Sequence, residues 1–348
     1  MGQSTGRRRR AAQWRGPLAS LLTAACLVYL VANTNLAELE RAIQRAHYGW
    51  LGLALACSVA SVIVKGVRWW ALYPVWARPS LGLAIAGLAT GQVANWAAPW
   101  RVGEVMRVGL VAAPGSAAGG GRGVALSVGV LVIEKLLDSA TLVLTVAVLV
   151  LLVGVPGWLS ATALLGAGLA CAIGLALAIH LRHRPAVRGW PAVRAWLARW
   201  LPGRLGRLFD DATGLGEGLS AWLAPRLALP ALGCSVLAWV LGALTNVLAF
   251  ASVGLDLPNA TAASLAVLAA LYGAAVVPTL PGRLGVFQSV CVVTLAPFGV
   301  AVEPALVFSF ALYLAVYAAP VLIGLAALVF LGPGPLGVRK TAAPTDQT

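Results

Sequence analysis

Arg68, Arg101, Glu104, Arg107, Glu134, Lys135, Asp138 and Arg283 stand in or beside stretches of the chain that are otherwise almost wholly apolar. Groups of this kind can seat an anion, hold one another or couple to a proton or cation. A charge at membrane depth costs roughly 2.5–3.5 kcal/mol even on the most lenient insertion scale, so it persists where it pairs or faces a polar cavity. Several of these residues lie near two short segments broken by Pro and Gly, one in each half of the chain. The combination points to a polar site inside a membrane bundle.

The first broken segment runs from Asn95 to Arg107. Pro99 removes a backbone donor and interrupts the incoming helix. Gly103 allows a turn or a close backbone approach. A half-helix resuming at 102–112 would present unpaired N–H groups, a natural seat for an anion. Arg101 adds a forked cation matched to phosphate. Glu104 and Arg107, three apart, share a face and are close enough to pair. A second constellation is Glu134 with Asp138, carboxylates at i,i+4 that repel unless Arg101, Arg107 or Lys135 stands opposite. They read either as salt-bridge partners pinning the broken segment or as coupling carboxylates. The third is Pro278 to Gln288, where Pro281, Gly282 and Gly285 prevent a regular helix. Here Arg283 reads as a headgroup contact or as a side chain snorkelling to the surface, and Gln288 supplies an uncharged polar head. Arg68, before Trp69 and Trp70, reads more simply as a snorkelling cation at an aromatic belt than as a ligand contact.

Other chemistry is hard to place. No Ser or Cys stands near a His as a nucleophile with its base, and no Walker or dinucleotide-binding glycine pattern occurs. His47, His180 and His183 form no cluster, and the five cysteines show no metal-like spacing. No metal or cofactor is expected, and the chain does not read as an enzyme.

These residues must be carried by membrane helices. Mean hydropathy is +0.88, with 60% hydrophobic and 10% charged residues over 348 positions. Apolar runs fall near 16–33, 50–73, 81–98, 123–155, 158–180, 228–253, 261–280, 284–301 and 304–331. Each suits a helix, since strands cannot cross lipid without closing a barrel. The net charge of +14 reads as positive-inside bias rather than nucleic-acid binding, because it gathers in the flanks and one loop. Arg7 to Arg10 place the N-terminus in the cytoplasm, and residues 17–32 read as an uncleaved first span rather than a signal peptide. Loop 181–227, with eight Arg against three acids, and the tail with Arg339 and Lys340 belong on the same side. Within that loop, 191–209 reads equally as an interfacial helix or a plain basic loop.

This bookkeeping closes only if 81–112 dips in and returns. The expectation is therefore an all-α polytopic membrane protein with about eight crossings and one or two re-entrant or broken segments, the run 123–155 reaching roughly 50 Å. Residues 1–15 form a basic tail, 16–331 a single transmembrane domain and 332–348 a second tail. Pro99-x-Arg101-x-Gly103 aligns with Pro281-x-Arg283-x-Gly285, and Gly91 with Gly273 at the same offset. Paired interruptions of this kind mark transporter sites, and the match suggests an inverted repeat.

Taken in order, Asn95, Pro99, Arg101, Gly103, Glu104 and Arg107 resemble the N…P-x-R-x-G-E-x-x-R motif of the flippase-like membrane family related to the lysylphosphatidylglycerol synthase transmembrane domain. Glu134-Lys135-x-x-Asp138 is similar to its Glu-Arg-x-x-Asp, and Arg68-Trp69 to its Arg-Trp. The run Pro278–Phe287 is similar to its Pro-rich second motif. The resemblance spans about 16 to 331. It implies a bacterial inner-membrane protein, with both termini cytoplasmic, that binds or translocates a phospholipid or polyprenyl-phosphate-linked lipid without the family's synthetase part. Many members place Glu where Gln288 stands, which implies a different lipid. Arg101 and Arg107 would bind phosphate, Arg283, Asn95 and Gln288 would assist, and Glu104, Glu134 and Asp138 would hold the arginines. The expected partners are anionic or phosphate-bearing lipids. The alternatives are an intramembrane lipid-modifying enzyme, with Glu134 or Asp138 as general base, or an accessory subunit docking an envelope glycosyltransferase or lipid synthase.

Overall fold

A computed structural model of the chain describes residues 26, 28, 37, 40, 41, 44, 46–98, 102–111, 121–153, 225–275 and 281–331. Among the described residues there is no strand, and eight α-helices carry the fold. These are α1 (Tyr48–Ala71), α2 (Leu81–Ala97), α3 (Val102–Val111), α4 (Gly121–Val153), α5 (Pro225–Ser252), α6 (Ala260–Ala274), α7 (Val286–Leu295) and α8 (Val302–Leu331). The expected first span 16–33, the run 158–180, the basic loop 181–227 with its stretch 191–209, and the tails 1–15 and 332–348 fall wholly or almost wholly outside the described residues.

Three segments, Tyr48–Ala71, Leu227–Ser252 and Val302–Ala327, are long and apolar enough to cross a bilayer. Their outward side chains match: Leu229, Val240, Leu314 and Leu325 are all more than half exposed. Helices that are apolar on both the packed and the open face belong in lipid. The protein is an all-α polytopic membrane protein.

Helices α1 and α5 form the spine. His47 N donates to Ser252 O at 2.6 Å, and Ser61 Oγ donates to Ala238 O at 3.2 Å. The start of one helix therefore meets the end of the other, and the pair is antiparallel. Trp69, Leu126, Ile133 and Ala231 pack α1, α4 and α5 together at one end. Phe250, Val267, Phe287 and Leu312 join α5, α6, α7 and α8 towards the other, with the rings of Phe250 and Phe308 stacked at 4.4 Å.

The 81–112 stretch folds back on itself, as the charge bookkeeping required. Ser80 caps α2 by accepting from Leu83 N at 3.3 Å, and α2 ends at the residue before Ala98-Pro99, as a following Pro demands. Helix α3 then returns along α2. Gly91 and Gly103 allow the two backbones to touch: a Cβ on Gly103 would lie 1.7 Å from Gly91 O. Asn95 Oδ1 accepts from Gly103 N at 2.8 Å and satisfies one free donor at the start of α3.

A second hairpin occupies the 261–301 stretch. The sequence suggested two crossings there, but α6 has 15 residues and α7 has 10. Both fall short of the roughly 20 residues that a crossing needs. The unit repeats the first: a helix, a Pro/Gly-rich turn, then a helix of 10 residues, as in α3. Gly285, at φ 81, precedes α7 as Gly103 opens α3. The packing differs, since Gly273 has open space where Gly91 has a backbone neighbour. Hairpin α2–α3 starts beside the end of α1, and α6–α7 starts beside the end of α5. Because α1 and α5 run antiparallel, the hairpins enter from opposite ends of the bundle. The two hairpins meet where Gly282 N donates to Trp96 O at 2.8 Å.

Gly103→Ala is expected to cost about 3 kcal/mol or more, the upper range for overpacking, because backbone rather than a flexible side chain blocks the new methyl. A methyl group added at Gly109 would meet nothing within 4 Å, so Gly109→Ala should be neutral or stabilise by up to about 1 kcal/mol. Thermal unfolding of the two purified variants in the same detergent makes the comparison.

Candidate functional site

The hairpin α2–α3 brings its polar residues against α1 and α4. Arg107 on α3 reaches Glu134 on α4 through both terminal nitrogens, Nη1 to Oε1 at 3.2 Å and Nη2 to Oε2 at 2.6 Å. Its guanidinium also lies over the Trp69 ring, 4.5 Å from the centroid. Arg68 on α1 donates from Nη1 to Asp138 Oδ1 at 2.7 Å and to Ser235 Oγ at 3.0 Å. Its Nη2 stands 3.6 Å from Glu134 Oε1. Arg68, Arg107 and Glu134 are 1%, 4% and 4% exposed. Two arginines thus share one buried carboxylate, with Asp138 as the second counter-charge.

The reason lies in the helix geometry. Glu134 and Asp138 are one turn apart and face the same way. Arg68 sits across from both, so the repulsion between the carboxylates is offset by the cation between them. A bidentate arginine–carboxylate pair is also the strongest arrangement available to these groups.

Two details depart from the sequence reading. Arg68 does not snorkel to an interface: it is buried and pins α1 to α4 and α5. Glu104 does not take Arg107 either. Its Oε1 lies 3.2 Å from Lys135 Nζ, at the more exposed rim. The stronger acceptor for Arg107 was Glu134, reached only when α3 packs on α4.

These groups surround a cavity of about 150 Å³. Helix α1 contributes Lys65 and Arg68, α2 contributes Gln92 and Asn95, α3 contributes Glu104 and Arg107, α4 contributes Glu134, Lys135 and Asp138, and α6 contributes Tyr272. The wall holds four cations and three carboxylates. Volume and polarity suffice for several waters or a small charged group.

The second broken segment plays a different part. Arg283, Gln288, Pro281 and Gly285 do not line this cavity. Arg283 adopts φ 51 and turns its Nη2 onto Ala275 O at 2.9 Å, closing the turn onto the end of α6. That local bond departs from the surface snorkel offered by the sequence. Gln288 is 1% exposed. Its Oε1 accepts from Gly285 N at 2.8 Å, while its Nε2 is buried without a partner among the described residues. Pro99 and Arg101 lie outside the described residues.

Sequence reasoning missed four contributors. Trp96 Nε1 donates to Tyr313 OH at 2.6 Å, and Tyr313 OH donates to Gly282 O at 2.5 Å. With the Gly282–Trp96 bond, these contacts bolt the two hairpin tips together beside α8. Lys65 Nζ donates to Tyr272 OH at 3.0 Å, and Tyr272 is held by Trp239, 4.6 Å between ring centroids. The available signal was spacing: Lys65 and Arg68 are three apart and share a helix face. Nothing in the sequence brings Tyr272 to that face.

The family model described as lysylphosphatidylglycerol synthase TM region matches residues 17–342. No curated protein matches the chain, and no solved structure does.

Truncating Glu134 strands the buried Arg107 guanidinium and leaves Arg68 with Asp138 as its one carboxylate partner. Glu134→Ala is therefore expected to destabilise the protein by about 3–5 kcal/mol, while Lys135→Ala, at the exposed end of the rim pair, should cost about 0–1 kcal/mol. Equal losses in chemical denaturation of the two variants would contradict this ranking.

Proposed function

Since the chain belongs to the lysylphosphatidylglycerol synthase TM region family, we propose that it is a flippase-like carrier that binds a lipid headgroup in the cavity and passes it across the bilayer. The observation that carries this reading is the meeting of two opposed hairpins at Trp96, Gly282 and Tyr313. The charged cavity lies beside hairpin α2–α3, on one side of that contact. A polar chamber next to a narrow seam of hydrogen bonds is what alternating access needs: parting the tips would connect the chamber to the other side, while the Glu134 cluster stays packed.

The lipid would be a phospholipid or a polyprenyl-phosphate-linked lipid, in a bacterial inner membrane with both termini in the cytoplasm. Arg101, five residues after Trp96 in the sequence, would meet the phosphate. Chemistry on the lipid is disfavoured by the engagement of the carboxylates. Both oxygens of Glu134 accept hydrogen bonds from Arg107, and Asp138 is tied to Arg68, so neither is poised to take a proton from a hydroxyl or water.

Proteoliposomes carrying a fluorescent phosphatidylglycerol in one leaflet test this. The wild type should expose that headgroup to a membrane-impermeant quencher faster than empty vesicles do. Arg101→Ala should lower the rate to the empty-vesicle level while the protein remains inserted. Wild-type vesicles that match empty ones with every phosphate lipid tried would remove the carrier reading. Recovery of chemically altered lipid would replace it with a lipid-modifying enzyme.

A further inference from the structure

We propose that Lys65 and Tyr272, with Asn95 on the same cavity wall, form an anion seat for lipid phosphate. This rests on reading the cavity as a headgroup chamber. It commits that chamber to an anionic phosphate oxygen rather than to the cationic end of an aminoacylated headgroup.

Charges and donors on the wall decide between the two. Of the four cations there, Arg68 and Arg107 are taken by Glu134 and Asp138, and Lys135 by Glu104. Lys65 makes no ion pair among the described residues; its hydrogen bond goes to the Tyr272 hydroxyl at 3.0 Å. An ammonium has three N–H donors, so two remain. Tyr272 accepts from Lys65 through its oxygen, which leaves its own O–H as a donor. Trp239 packs against the Tyr272 ring at a tilt of 32° and helps hold that hydroxyl in place.

Asn95 supplies a third donor group from α2. Its Oδ1 is occupied by Gly103 N, which sets the amide so that the NH2 is the end left over. Its nitrogen has no partner among the described residues. The same wall offers no carboxylate without a cation. An arriving ammonium would therefore have to displace an existing ion pair, whereas an arriving phosphate oxygen finds donors already unoccupied. A phosphate needs just this: charge compensation plus several N–H and O–H donors converging from different elements.

The chain contains three lysines, Lys65, Lys135 and Lys340, which permits a direct readout. The full-length protein in neutral-detergent micelles is treated with a small amine-acylating reagent, and modification at each lysine is measured by mass spectrometry. Dioleoyl phosphatidic acid, dioleoyl phosphatidylglycerol, dioleoylglycerol and inorganic phosphate are compared as additions, and lipid binding is titrated in parallel. Both phosphate lipids should slow acylation of Lys65 several-fold while leaving Lys340 unchanged, and dioleoylglycerol should not. Lys65→Met should weaken phosphate-lipid binding roughly tenfold, the scale of one charged hydrogen bond, and Tyr272→Phe by a smaller factor. Lys65→Arg should retain most binding, which shows that charge rather than packing is read.

Unchanged phosphate-lipid binding by a folded Lys65→Met variant would overturn the seat, as would equal protection by dioleoylglycerol. Protection by inorganic phosphate but by neither phosphate lipid would overturn the lipid source. The carrier reading fails separately. Lys65-dependent binding without any translocation would keep the seat and remove the flippase, and translocation that ignores Lys65→Met would do the reverse.

Discussion

The organising constraint is the burial of Glu134 between two arginines. A lone carboxylate or guanidinium in an apolar bundle would be strongly disfavoured. Arg107 closes on Glu134 with both terminal nitrogens, and Arg68 bridges Glu134 to Asp138. Those bonds join α1, α3 and α4 at one point, and Ser235 adds α5. Once the ions are present, few packings leave none of them stranded. The electrostatic cost of burial thereby becomes a source of specificity in the arrangement of helices, a role that ion pairs fill better than that of adding net stability.

That cluster also explains why a hairpin can sit at membrane depth. A broken helix exposes N–H and C=O groups that lipid cannot satisfy. Here Asn95 answers one of them at Gly103, and the near-contact of Gly91 and Gly103 leaves no gap between the two helices. On the opposing hairpin, Gln288 answers Gly285 and Arg283 answers Ala275. The two hairpins solve the same problem with different side chains. The first solution leaves a charged cavity; in the second, Gln288 Oε1 and Arg283 Nη2 are spent on the hairpin's own backbone, while Gln288 Nε2 stays buried without a partner among the described residues. Charge is thus distributed unequally over the two hairpins, even though the motif is shared.

Much of this was legible in the residues. The hydropathy runs marked the membrane helices, and the charge bookkeeping demanded that 81–112 turn back before any helix was placed. The pairing of Pro99-x-Arg101-x-Gly103 with Pro281-x-Arg283-x-Gly285 marked two interrupted segments of like design, although the runs 261–280 and 284–301 read as two crossings rather than a hairpin. Glu134 and Asp138, read as holders of arginine, do face Arg68 and Arg107. The reading went astray where a choice lay between partners. Arg107 had Glu104 on its own helix face, and Arg68 had an aromatic interface as an inexpensive home. In each case a contact from another helix prevailed.

What the sequence determined by itself is the set of groups that must be compensated: apolar spans, ions that cannot face lipid, and backbone breaks that need local partners. Those follow from composition and short-range spacing, because desolvation is a property of each group and its neighbours. Only the tertiary structure decided which cation answers which carboxylate, that Trp96 meets Gly282 and Tyr313, and that Lys65 is left with a hydroxyl instead of a charge. Those outcomes depend on contacts up to 217 residues apart. Periodicity along the chain carries no information about such a distance, since it is closed by helix packing alone.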